Sequence, residues 1–82
     1  MSADERRIGD QLFLSLEAVA AVFEIEDVWL KSVQVAGLLG DVHVEQRRVW
    51  IAAARLERVG TLVRLCHGFG LDLSAAREAL GD

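Results

Sequence analysis

Apolar residues recur along this chain at two spacings, three to four residues apart in some stretches and alternating in others. Together they predict four helices and one hairpin. Leu16, Val19, Ala20 and Phe23 fall on one face of a first helix over residues 16–23, with Ser15 as its N-cap and Glu17 near the positive end of its dipole. A tight turn at Glu24-Ile25 leads into a second helix over residues 27–36, whose buried stripe is Leu30, Val33 and Ala36. Gly37 ends it, because glycine accepts the left-handed cap. Helix, short turn, helix is the helix-turn-helix plan.

Val42-His43-Val44 and Arg48-Val49-Trp50-Ile51 have the β-branched content of two short strands joined at Glu45-Gln46-Arg47, although turn glycine and asparagine are absent there. A long helix follows over residues 53–69. Leu56, Val59, Val63 and Cys66 form its stripe, and Leu62, Leu65 and Phe69 widen it. Gly60 weakens that helix by about 1 kcal/mol relative to Ala and leaves room for close packing. Gly70 closes it, and Asp72 caps a last helix over residues 73–80. Residues 1–11 are polar, contain Gly9-Asp10 and read as a flexible tail, leaving residues 12–82 as a single domain.

Composition narrows the function more than the fold. Eighty-two residues make one domain that buries only roughly 60–65% of its unfolded surface. A 52% hydrophobic content excludes disorder. No apolar run approaches the ~20 residues of a membrane span, and no signal sequence opens the chain. With a single cysteine and hence no internal disulfide, the expected location is the reducing cytoplasm. The net charge of −4 argues against general affinity for phosphate backbones. Residues 1–41 carry eight acids against Arg6, Arg7 and Lys31, whereas residues 42–82 carry six arginines against five acids. The acidic half holds the helix-turn-helix.

Residues that carry chemistry are few. Cys66 and His67 are helical neighbours about 100° apart, a poor pair of ligands, and His43 is the other histidine. No spacing suggests zinc, and Cys66 lies on the apolar stripe. Ser15, Ser32 and Ser74 lack an evident base, and the glycines match no phosphate-binding fingerprint. The expectation is a protein with no enzymatic activity, cofactor or metal.

Leu16-Glu17-Ala18-Val19-Ala20, then Leu30, then Ala36-Gly37-Leu38-Leu39 resembles the opening of MerR-type domains. Ile51, Leu56, Arg58, Val59 and the Gly70-Leu71-Asp72-Leu73 turn are similar to the wing, long helix and cap of heat-shock repressors and CbpM-type chaperone modulators. The resemblance covers residues 12–80. It implies a mainly α fold, a small MerR-like winged helix-turn-helix of about four helices plus a short β-hairpin wing.

Departures from that pattern point to function. DNA-reading relatives place an arginine beside aromatic residues in the second helix and paired arginines before the long helix. Here the second helix reads Glu26-Asp27-Val28-Trp29-Leu30-Lys31-Ser32, and Val49 and Trp50 hold the paired-arginine positions. Carboxylates at a helix start would repel phosphate. The CbpM-type resemblance instead implies an assembly factor that binds the J-domain of a DnaJ-type co-chaperone and, through it, modulates a DnaK-type chaperone, by inhibition or in a higher-order complex. A homo-oligomer is also compatible with the chain.

Trp29 is then the natural anchor, ringed by Glu24, Glu26 and Asp27 and next to Lys31, with Trp50 as a second exposed ring. Each residue also has a plainer reading: Trp29 as an edge residue, the acids as a solvated helix start, Trp50 as a lid on the core. The alternative function is a heat-shock-repressor-like DNA-binding regulator, contacting DNA through Lys31, Arg47 and Arg48. Arg47 and Arg48 fit equally a charged hairpin edge that resists aggregation, and Arg55, Glu57 and Arg58 fit a solvated helix face.

Overall fold

The computed structural model describes residues 3–81. Its chain opens with a hairpin that the hydrophobic pattern does not announce. Strands Glu5–Ile8 (β1) and Gln11–Ser15 (β2) pair antiparallel about Gly9-Asp10, with Gly9 at a φ of 62° that suits glycine. The segment expected as a flexible tail over residues 1–11 is therefore largely sheet, apart from residues 1–2, which lie outside the described residues. The expected boundary at residue 12 falls within β2. What fixes β1 is a set of ties to distant residues. Asp4 accepts from the Ser15 hydroxyl at 2.8 Å, the Asp4 carbonyl accepts from the Ser15 amide at 2.8 Å, and Arg6 pairs with Glu45.

Helix α1 (Leu16–Phe23) starts where expected, the Ser15 hydroxyl accepting from the Ala18 amide at 3.1 Å. It ends at Glu24, which occupies the left-handed region at φ 56° without being glycine. Helix α2 (Asp27–Val35) buries Leu30 and Val33 and terminates before Gly37. Strands β3 (His43–Glu45) and β4 (Arg48–Ala52) form the second hairpin. Its turn places both Gln46 and Arg47 at positive φ, the twist a two-residue hairpin needs even without glycine or asparagine.

β2 also pairs with β4, which makes one four-stranded antiparallel sheet in the order β1-β2-β4-β3. The protein is a small α+β fold of four helices and this sheet. It is not the mainly α, MerR-like winged helix-turn-helix with a two-stranded wing that the resemblance implied. The helix count holds. The wing is instead one half of a larger sheet, with β3 at the edge, because β2 of the N-terminal hairpin completes the backbone bonding of β4 on its other side.

The long helix is one rod of changing pitch. A 3-10 turn (Ala53–Arg55) leads into α3 (Leu56–Val63) and then a π turn (Arg64–Gly68). The π turn lets the Phe69 amide reach the Arg64 carbonyl at 3.0 Å, and the added residue per turn rotates Phe69 out of the stripe. Phe69, expected on the buried face, is 77% exposed. Helix α4 (Leu73–Leu80) is capped by Asp72, whose carboxylate accepts from the Ala75 amide at 2.8 Å.

The core lies between the inner face of the sheet (Val49 and Ile51, with Leu14 packed against them) and helices α1 to α3, with Val19, Leu30 and Leu62 fully buried. Arg58, expected on a solvated face, is half-buried and donates from Nε to the Leu38 carbonyl at 2.6 Å. It thereby braces α3 against the loop after α2. Among the described residues no helix is long and apolar enough to cross a membrane.

Candidate functional site

Alternation along β4 sends Val49 and Ile51 to the helices and Trp50 to the outer face of the sheet, as expected. Trp50 is nevertheless only 4% exposed. Arg48, two residues before it, places its guanidinium carbon 4.9 Å from the indole centroid, and Arg6 reaches across β2 to 5.2 Å. Trp50 is therefore roofed by cations and unavailable as a second docking ring, which corrects its assignment to the partner surface.

The roof is itself pinned. Arg48 reaches Asp4 at 3.2 Å, Glu17 at 3.3 Å and the Ala3 carbonyl at 3.1 Å. Its neighbours Glu17 and Asp4 hold its pKa above the ordinary arginine value. Arg6 and His43 both bond Glu45, and their hydrogen bonds, Arg6 first, hold the Glu45 carboxyl below the usual glutamate range. Arg48, proposed as a nucleic-acid contact, is thus committed to intramolecular acids.

The other candidates divide between two sides of α2. On one side Glu24, Ile25, Glu26, Trp29 and His67 line a cleft of about 410 Å³. The left-handed turn at Glu24 swings the chain so that Glu24 and Glu26 flank the start of α2. Trp29 is half-buried, its indole tilted 47° against the His67 imidazole at a centroid distance of 4.5 Å. His67 comes from the π turn, whose wider coil sets where that exposed ring stands. The sequence carries no sign of this partnership, since the two rings are brought together only by the packing of the helices.

On the other side Glu17, Asp27, Val28, Lys31 and Arg47 line a smaller groove of about 330 Å³ floored by Leu16 and Val49. Asp27 and Lys31, expected beside Trp29, belong here. Arg47 joins them from the hairpin turn. Both faces are open; the first is built from helix and turn residues, and the second adds Val49 of β4.

The Ser15, Ser32 and Thr61 hydroxyls donate to Asp4, to the Trp29 carbonyl and to the Glu57 carbonyl respectively. Burial, and more weakly the charge of Asp72, push the Cys66 thiol above its ordinary pKa, which disfavours the nucleophilic thiolate. Among the described residues no group of three His, Cys, Asp or Glu side chains is placed to hold a metal ion.

The sequence matches no protein-family model, no curated protein and no solved structure.

Proposed function

We propose that this protein is a non-enzymatic adaptor that binds a basic helical segment of a protein partner in the Trp29 cleft. The observation that carries this reading is the half-buried Trp29 indole set against the exposed His67 imidazole, in a cleft lined by Glu24 and Glu26. A partly desolvated aromatic surface supplies holding energy, and flanking acids steer and orient a cation. The class of partner follows from that charge and those rings. The choice of a DnaJ-type J-domain, and through it a DnaK-type chaperone, rests on the sequence resemblance alone. DNA recognition is disfavoured because Arg48 is paired internally, and Lys31 and Arg47 share their groove with Glu17 and Asp27.

Calorimetric titration with an isolated J-domain tests the reading, with a neutral helical peptide as control. Binding is expected with the first and not with the second. Trp29→Ala should weaken it by about 1–2 kcal/mol. Equal affinity for both ligands, or none for the J-domain, would overturn it.

A further inference from the structure

β1 stands at the rim of the sheet, with β2 as its only strand neighbour. The Ser15 amide donates to the Asp4 carbonyl at 2.8 Å, which extends the β1–β2 register by one bonded pair. Antiparallel strands alternate bonded and non-bonded pairs, so Arg6 and Ile8, like Asp4, turn their amides and carbonyls toward β2. Glu5 and Arg7 turn theirs to the open edge. Their side chains share the sheet face of Leu14 and Leu12, the residues opposite them in register. Both are exposed, and among the described residues neither enters an ion pair.

Charges on an edge strand ordinarily keep a neighbouring strand away. The order of these charges reverses that effect for one partner. We infer that two copies of this chain pair β1 against β1, antiparallel, about a two-fold axis through Arg6. In that register Glu5 of each copy stands directly opposite Arg7 of the other, on the same face. Each opposed pair exchanges both of its backbone hydrogen bonds, and the two-fold makes every match in duplicate. The two sheets become one continuous sheet.

The neighbouring registers fail. A slip that keeps free amides facing free carbonyls moves the axis to Glu5 or to Arg7, which sets that residue against its own copy. Arg6, on the axis, meets its own copy on the opposite face. Its guanidinium, however, pairs with Glu45 and reaches back across β2 to the Trp50 ring, away from the edge. The two Arg6 charges are thereby drawn apart. β1 contributes no residue to the Trp29 cleft, so this contact and the binding of a basic helix use different surfaces.

Sedimentation equilibrium of the full chain over a wide concentration range tests this. The mean mass should rise from the 9.0 kDa of one chain toward twice that value. Glu5→Arg alone, or Arg7→Glu alone, sets like charges opposite each other and should weaken association roughly tenfold, with an unchanged circular dichroism spectrum. The exchange of both, Glu5→Arg with Arg7→Glu, should restore it. An equimolar mixture of the two single variants should also associate, because each supplies the charges that the other lacks. A mass fixed at one chain overturns the inference and leaves the edge to a strand of another protein. Association indifferent to the single reversals, or an exchange and a mixture that do not recover, overturns it as well. J-domain titration of the single variants reports on the Trp29 cleft separately.

Discussion

Arg48 lies over Trp50, its guanidinium carbon 4.9 Å from the indole centroid, while Asp4 and Glu17 hold that guanidinium in place. Residues far apart in the chain thus cooperate to bury one ring on the face of the sheet that the helices do not cover. Three of the four strands contribute to this layer, since Arg6 comes from β1, Glu45 from β3 and Arg48 from β4.

Removing the ring should therefore loosen the sheet. Trp50→Ala is expected to cost about 3 kcal/mol, within the usual span for deleting a buried large aromatic. A domain of this length is stable by only roughly 4–12 kcal/mol, so that loss is large. Urea denaturation followed by circular dichroism measures it, and a cost under about 1 kcal/mol would show that the cationic roof contributes little.

Glu45 gives the roof a pH dependence of defined sign. Arg6 and His43 depress its pKa in the folded state, so the native protein binds the proton less readily than the unfolded chain does. The stability this contributes is complete above the ordinary glutamate range and fades as pH falls through the lowered native value. Thermal midpoints measured from neutral pH down into the acid range should fall more steeply in the natural protein than in Glu45→Gln. Parallel curves would mean that Glu45 does not carry the effect.

Much of the helical framework was legible because it is encoded locally. Ser15 and Asp72 are caps, Gly37 and Gly70 adopt positive φ where helices were expected to end, and the stripes through Leu16, Leu30 and Val59 are buried. The N-terminal hairpin was missed because Arg6 and Arg7 are poor local evidence for a strand. Several of its ties run to residues about forty positions away, Arg6 reaching Glu45 and Trp50 and Asp4 pairing with Arg48. One signal was available: Gly9-Asp10 between Ile8 and Leu12 is a two-residue turn sequence. Of the site, Trp29 with Glu24 and Glu26 was readable from charge and phase. His67 was not, because the π turn that positions it has no sequence signature here.

Glu24 should show a conflict between stability and binding. It sits in the left-handed region at φ 56°, where a side chain with a Cβ is strained and glycine is not. Glu24→Gly should stabilise the fold by about 0.5 kcal/mol, the relief of strain being partly offset by glycine's greater unfolded-state freedom. The same change removes a carboxylate from the rim of the Trp29 cleft. Association with a basic helix should slow at low salt and differ little from the natural protein at high salt. A raised denaturation midpoint together with a slower on-rate is the expected pair of results. An unchanged on-rate would remove Glu24 from the binding surface.

Gly60 separates propensity from packing within α3. A Cβ added there would stand 3.3 Å from Cε1 of Phe23, tighter than ordinary contact, and 3.8 Å from its Cζ. Alanine gains about 1 kcal/mol of helix propensity over glycine at an interior position. Phe23 is half-buried at the end of α1, so its ring can move the few tenths of an ångström that a methyl group requires. Gly60→Ala should thus be neutral to slightly stabilising. Gly60→Val adds branches that meet the same ring with nowhere to go, and overpacking of that kind costs about 1–3 kcal/mol. Urea midpoints for both variants distinguish the two effects. If alanine destabilises as much as valine, Phe23 is held rigidly, and the contact between α1 and α3 is set by its ring.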